Sequence, residues 1–161
     1  ATHPDQCLAS TQVPKVCHHL TMDTDPRNGM ELLTDDQNWE LLATSVVGRL
    51  AVAPGGRPDI FPVNYVTRSR TVVFRTAEGS KLSSLAVNQA VAFEVDGYDA
   101  DTNEAWSVVL TGTARLVSSE DESVMMEELP LFPWNTAPKY HFVEITPAQI
   151  TGRRFVAEGR R

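Results

Sequence analysis

Five runs rich in Val, Phe and Thr follow one another between residues 46 and 117 with very little chain between them, and this spacing limits the fold more than any other feature. They are "VVGRLAVA" (46–53), "DIFPVNYVT" (59–67), "TVVFRTA" (71–77), "AVAFEVD" (90–96) and "AWSVVLTGTARLV" (105–117). β-Branched and aromatic residues fit a pleated, half-buried surface, so each run is read as a strand. The connections "PGGRP", "RSR" and "GYDADTNE" are too short for a parallel crossover, which needs about a dozen residues or more, so the neighbours form antiparallel hairpins. "KYHFVEIT" and "ITGRRFVA" add two short strands near the C-terminus. The expected fold is mainly β: six or seven antiparallel strands in a small barrel, closed because closure removes exposed edges.

Two or three short helices complete the expectation. "DDQNWELLATS" fits one, with Asp35 or Asp36 as its cap and Trp39 and Leu42 on one face. "SEDESVMMEEL" reads as another, with Ser118 or Ser119 as cap. With 161 residues and 42% apolar composition, one domain with its own core is expected. It is placed at residues 31–161, behind a flexible lead-in over 1–30 that is broken by Pro4, Pro14, Pro26 and Gly29. Met22 and Met30 are the candidate natural starts within that lead-in.

Fourteen Lys and Arg against 21 Asp and Glu leave a formal net charge of -7, which gives no general attraction for phosphate backbones or anionic lipid. Nucleic acid is therefore not an expected partner. No stretch approaches the roughly 20 apolar residues that cross a bilayer, so no membrane span is expected and the protein is placed in the cytoplasm. Cys7 and Cys17, the only cysteines, imply no disulfide framework for the fold.

Against this acidic background, "RTAEGSKLSSL" (75–85) gathers Arg75, Thr76, Gly79, Ser80 and Lys81 at one strand-to-helix corner. Gly79 permits a backbone conformation closed to other residues, and Ser80 can cap a helix whose Leu82, Leu85 and Ala86 share a face. The first amides of a helix have no intrahelical partner and carry partial positive charge, so the corner suits a phosphate completed by Thr76, Ser80 and Lys81. Arg75 diverges from Thr76, because adjacent strand residues point to opposite faces. A plain helix cap with Arg75 and Lys81 as solvated charges accounts for the same residues. The triphosphate-binding pattern G-x-x-x-x-G-K-[ST] is absent, since Leu82 follows Lys81 where it needs Ser or Thr.

"FRTAEGSKLSSLAVNQAVAFEVD" resembles the flavin-phosphate segment of the pyridoxamine 5'-phosphate oxidase-like split-barrel family. That segment has a strand ending in aromatic-x-T, then S-x-K, a helix, and Asn before an apolar strand; Thr76, Ser80, Lys81 and Asn88 occupy those places. "GRLAVAPGGRPDIFPVNYV" resembles the family's first hairpin, and "WSVVLTGTARLV" the strand with a late glycine, here Gly112. The resemblance covers roughly residues 35–117 and implies a split β-barrel homodimer with flavin mononucleotide (FMN) in a groove at its interface. Thr76, Ser80 and Lys81 would hold the phosphate, with Arg75 beside them. The "FPVNY" strand, with Pro62, Val63 and Asn64, would lie along the isoalloxazine. Pro62 cannot donate to a ladder and marks an edge or bulge, and the Asn64 amide offers both donor and acceptor to the ring.

The chain departs from the vitamin B6 oxidases in three places. It has "PVNY" where they carry R-x-V-L, Ser107 near the position of their glutamine, and "ITGRRF" only loosely similar to their arginine-containing tail. The resemblance therefore implies a nitroreductase-like branch, passing hydride or electrons between a nicotinamide donor, NADH or NADPH, and a small-molecule acceptor. In such an enzyme the flavin does the chemistry and no side chain is named as catalytic. Alternatives are a reductase using the deazaflavin F420, and a flavin- or haem-binding module without turnover.

Other groupings are weaker. His3, Cys7, Cys17, His18 and His19 match no common zinc spacing, and Asp96, Asp99, Asp101 and Glu104 lack the spacing of a calcium loop and read as a solvated turn. His141 reads as a hydrogen-bonded barrel histidine, and Trp106 and Trp134 as core or interface anchors. No Ser-His-Asp arrangement or nucleophilic cysteine context supports hydrolysis.

Overall fold

The computed structural model describes residues 23–77, 79, 84–85, 88–118, 124, 127–131 and 141–156. Six strands close a barrel: β3 (Val47–Val52), β4 (Asp59–Arg68), β5 (Thr71–Thr76), β6 (Ala90–Asp99), β7 (Glu104–Leu116) and β8 (His141–Val156). Every pairing is antiparallel, in the order β8-β5-β4-β3-β6-β7, and β7 returns to β8 to complete the ring. This is the split barrel expected from the short connections. The β4–β5 turn is tight because Ser69 and Arg70 both take positive φ, 47° and 60°, which matches the twist of the strands it joins.

Alternate residues fill the interior. Leu50, Phe74, Phe93, Val95, Leu110 and Ile145 have no solvent exposure, and the Tyr65 and Phe93 rings meet edge to face at 4.9 Å between centroids. Glycines let neighbours close on the sheet at two points. A Cβ on Gly97 would stand 2.5 Å from the Trp106 indole, its cross-strand partner. One on Gly112 would stand 2.2 Å from the Thr146 carbonyl oxygen.

Gly112 also bears on a correction. The C-terminal segment was expected as two short strands, yet β8 is one strand of 16 residues. Its register against β7 shifts between Thr111, opposite Gln149, and Gly112, opposite Pro147. Ala148 is the extra residue of a β-bulge, the setting in which a strand tolerates proline. The β6–β7 hairpin likewise runs further than expected, to Asp99 and Glu104. Its acidic tip is a turn: the Asp99 carboxylate accepts from the amides of Asp101 (2.8 Å) and Thr102 (3.3 Å).

The helix α1 (Asp35–Thr44) packs Leu42 into the barrel with no exposure, and Trp39 is partly buried against the core. Thr34, not Asp35 or Asp36, is its cap. The Thr34 hydroxyl accepts from the Gln37 amide at 3.3 Å, and the Gln37 carboxamide oxygen accepts from the Thr34 amide at 2.8 Å. The two aspartates occupy the first turn, where negative charge suits the helix dipole. Of "SEDESVMMEEL", only residues 124 and 127–129 are described, so the expected helix and its candidate cap Ser119 lie largely outside the described residues.

Regular structure also occurs ahead of residue 31, where the domain was expected to begin. A small hairpin of β1 (Asp23–Thr24) and β2 (Glu31–Leu32) docks on β8 through Glu31 opposite Arg154. Its turn is organised by Asp25, 3% exposed, whose carboxylate accepts from Arg27 Nε (3.0 Å) and Nη2 (2.9 Å) and from the Arg27 amide (3.0 Å). These hydrogen bonds lower the Asp25 pKa to about 2. Residues 1–22, with both cysteines and the three tail histidines, lie outside the described residues.

Candidate functional site

The β4 strand makes the site. Residues Asp59–Asn64 pair with β3, whereas the ladder to β5 covers only Tyr65–Arg68. The first half of β4 thus borders the split in the barrel on its β5 side. Where the split opens, a groove of about 470 Å3 lies between the end of α1 (Leu42, Ala43), Ser45 and Val46, the stretch Asn64–Thr67, and Pro130 and Leu131.

Two contacts to Tyr65 fix the wall formed by residues 42–46. Its hydroxyl donates to the Leu42 carbonyl at 2.5 Å, and its amide donates to the Val46 carbonyl at 3.1 Å. Leu42 belongs to the last turn of α1, whose carbonyls have no intrahelical partner, so the phenol fills that need. Burial pushes the Tyr65 phenol well above its ordinary value. Tyr65 is therefore a structural hydroxyl, already committed.

The lining of the groove is uncharged. Ser45, Asn64 and Thr67 supply polar groups, and Val46, 63% exposed, supplies an apolar surface at the rim. A mostly apolar cleft with a few placed polar groups is the usual form of a small-molecule site. It suits a flat heteroaromatic ring that needs stacking area and a few hydrogen bonds.

The sequence-predicted residues distribute around this groove as follows. Asn64 lines it, half-buried. Val63, 5% exposed, points into the barrel, so only its backbone could face a ligand. Pro62 is exposed on the outer surface, opposite Arg49. Continuing the β4–β5 register one step past Tyr65 and Phe74 sets Arg75 opposite Asn64 on the same outer face. The Arg75 guanidinium lies 4.8 Å from the centroid of the Phe142 ring and 3.1 Å from a Glu127 carboxylate oxygen.

Thr76 takes the other face, 2% exposed, with its hydroxyl donating to the Ala77 carbonyl at 3.1 Å. Ser80 and Lys81 lie outside the described residues. Beyond the corner, the Asn88 side chain accepts from the Ala90 amide at 3.0 Å and starts β6. His141 pairs with Thr76 at the start of β8.

Ser107 is not brought to the groove within one chain. It sits on β7 opposite Asp96 and Arg153. Asp96 is in turn level with Val47 and Asn64 when the β3–β6 register is continued. Asn64 and Ser107 thus share a lateral row but stand three strands apart, about 14 Å at the usual strand spacing.

The same outer face contains a feature the sequence did not single out. Arg49 reaches Asp96 at 2.5 Å and Glu94 at 3.7 Å. Burial first, then the Asp96 charge, raises the Glu94 pKa against the opposing pull of Arg49. Only a strand register could have shown that these three side chains meet. Among the described residues no group of His, Cys, Asp and Glu is placed to hold a metal ion, and no helix is long and apolar enough to cross a membrane.

Comparison with known proteins gives a consistent picture. The chain is 33% identical over 142 residues to the uncharacterized protein Rv0080 of Mycobacterium tuberculosis, covering 84% of this chain and 93% of that protein. Among solved structures it is similar to the FAD binding protein from Mycobacterium smegmatis, at 40% identity and a TM-score of 0.67, over 77% of this chain and 97% of the other. A conserved protein of unknown function from Corynebacterium diphtheriae is similar at 40% identity and a TM-score of 0.68, over 79% and 98% of the two chains. The family model described as pyridoxamine 5'-phosphate oxidase matches residues 34–154, from the cap of α1 to the last turns of β8. This chain belongs to the pyridoxamine 5'-phosphate oxidase family.

Proposed function

We propose that the groove beside β4 binds the isoalloxazine ring of a flavin nucleotide, and that the protein is an oxidoreductase passing hydride or electrons between NADH or NADPH and a small acceptor. The observation that carries this reading is the uncharged groove along Asn64–Thr67, where the open half of β4 meets the half paired with β5, with the Asn64 amide in its wall. The ring's apolar area suits Val46 and Val66, and the amide suits its pyrimidine edge. The nucleotide's phosphate end belongs at the corner after β5, where Ser80 and Lys81 follow in the sequence.

FMN and FAD share that phosphate and ring. The name of the Mycobacterium smegmatis relative, at 40% identity, favours FAD as the second candidate beside FMN, ahead of the deazaflavin F420. When bound, the flavin supplies the hydride chemistry, and the protein's own groups bind, orient and shield it.

A homodimer is part of the same proposal. The outer face carrying Pro62, Arg49 and Glu94 also exposes Ile60 at 64% and Val109 at 37%. Ser107, three strands from Asn64, reaches a flavin in the groove only from a second copy. Burying an aromatic face contributes roughly 4 to 6 kcal/mol at 25 cal/mol per Å2, while association costs about 4 to 15 kcal/mol. A second subunit closing over the ring supplies the further contacts that micromolar retention needs.

The test has two steps. Titration with FMN and FAD, followed by flavin fluorescence, should saturate near one flavin per chain, and Lys81→Ala should weaken it far more than Lys139→Ala. Steady-state oxidation of NADPH or NADH with a panel of acceptors then separates an enzyme from a binding module. Equal affinities in the two lysine variants refute the anchor, and tight flavin binding without turnover refutes the enzyme.

A further inference from the structure

One residue past the Tyr65–Phe74 pair, the Arg75 guanidinium is not left to solvent. Arg75 follows Phe74, the β5 partner of Tyr65, with its guanidinium over the Phe142 ring at 4.8 Å, and Glu127 Oε1 lies 3.1 Å from its Nη2. The side chain of Arg75 is 29% exposed and that of Glu127 is 56% exposed. Glu127 lies three and four residues before Pro130 and Leu131, which line the groove. Leu129 and Leu131 pack on the patch of Val73, Val117 and Phe142. One short segment therefore lines the groove and supplies a carboxylate to Arg75.

We propose that Glu127 is a specificity-determining residue: its carboxylate acts as an intramolecular anion for Arg75 and lowers the preference of this site for phosphorylated over unphosphorylated flavins. The inference rests on the flavin reading above. A carboxylate and a phosphate are both acceptors that a guanidinium engages through charge-assisted hydrogen bonds, so they compete for the same donors. The carboxylate also repels an incoming dianion. Because Glu127 is more than half exposed, solvent screens the pair and the effect is modest. The aromatic ring beneath Arg75 and the apolar anchors Leu129 and Leu131 keep the wall in place whether or not the carboxylate is paired, so its charge can be changed without moving the groove.

The experiment compares FMN with riboflavin, which lacks only the phosphate, at low ionic strength. Flavin fluorescence reports Kd for the wild-type protein and for Glu127→Gln, Glu127→Asp, Arg75→Ala and the Arg75→Ala/Glu127→Gln pair. Glu127→Gln should tighten FMN roughly threefold to fivefold, the scale of an exposed ion pair, and leave riboflavin within twofold. Glu127→Asp should behave as wild type, and in the Arg75→Ala background the Glu127→Gln change should have no effect on FMN. The gain should also shrink in 0.5 M salt. An equal shift for FMN and riboflavin, or a gain that survives Arg75→Ala, overturns the proposal while leaving flavin binding intact. A wild-type protein that binds neither flavin overturns the flavin reading and this inference together.

Discussion

Tyr65→Phe removes one oxygen from the junction that holds the groove's inner wall. The Tyr65 hydroxyl donates at 2.5 Å to the Leu42 carbonyl, which lies in the last turn of α1 and has no helical partner. Tyr65 is 2% exposed and Leu42 fully buried, so water does not readily replace the lost donor. Leaving a buried carbonyl unsatisfied costs about 1 to 3 kcal/mol. Phenylalanine keeps the edge-to-face contact with Phe93, which confines the loss to the hydrogen bond and favours about 1 to 2 kcal/mol. At about 2 to 4 °C per kcal/mol for a chain of this size, Tm should fall by roughly 2 to 8 °C. Urea denaturation should show a lower midpoint with an unchanged slope, because the surface buried on folding is the same.

The phenol also gives a pH signature whose sign is fixed by its raised folded pKa. Its contribution is fully present below the unfolded value of about 10 and is lost as pH rises from there toward the folded value, because only the unfolded chain ionises readily. The wild-type protein should therefore lose more stability than Tyr65→Phe above about pH 10. A Tm within 1 °C of wild type at pH 7 for Tyr65→Phe, about the resolution of the measurement, would refute the role given to this hydroxyl.

Three further outcomes follow from the geometry. Gly112→Ala should cost about 2 to 3 kcal/mol or more in urea denaturation, because its Cβ would meet backbone at Thr146, which cannot swing aside as a side chain can; a neutral result would mean that the β8 bulge is placed wrongly. Gly97→Ala should displace the Trp106 indole and shift tryptophan emission, and an unchanged spectrum counts against that stacking. The depressed Asp25 pKa, about 2, means that its contribution is present above the unfolded carboxylate value of about 4 and is lost as pH falls toward 2. Protection factors of the amides in residues 23–32 should fall over that window, and Asp25→Asn should show the same loss of protection at pH 7, whereas protection independent of pH would contradict this role of Asp25.

The barrel was legible because short connections leave antiparallel hairpins as the only economical pairing, and β3 to β7 fall where the Val- and Thr-rich runs stand. The start of α1 was legible too, but its cap lies one residue before Asp35 and two before Asp36: "TDDQ" at 34–37 is a capping box led by Thr34. Between the runs "KYHFVEIT" and "ITGRRFVA", expected as two strands, the bulge at Ala148 accommodates Pro147 and β8 continues. The two-residue strands of the β1–β2 hairpin are too short to show any period, and their support is the Asp25–Arg27 interaction. Asn38 had no signal at all. It is 1% exposed with neither side-chain polar atom hydrogen-bonded, pressed against the site of Gly152, where a Cβ would stand 1.8 Å from its oxygen.

At the site, alternation correctly separated Arg75 from Thr76, and Asn64 was picked out by its place beside Pro62. The groove itself was not legible, because half of its lining comes from the end of α1 and from residues 130–131, which only tertiary packing brings to β4. The Arg75–Glu127 pair, 52 residues apart in sequence, was hidden for the same reason.

The central claim is that the groove beside Asn64 takes a flavin ring. Flavin fluorescence titration of the wild-type protein and of Asn64→Leu tests it most directly, since leucine keeps the side chain's bulk but cannot hydrogen-bond. The expected result is saturable quenching of FMN or FAD by the wild-type protein and an affinity at least fivefold weaker for Asn64→Leu, the loss of about one hydrogen bond. Flavin binding of equal strength in both proteins would place the ring elsewhere and contradict it.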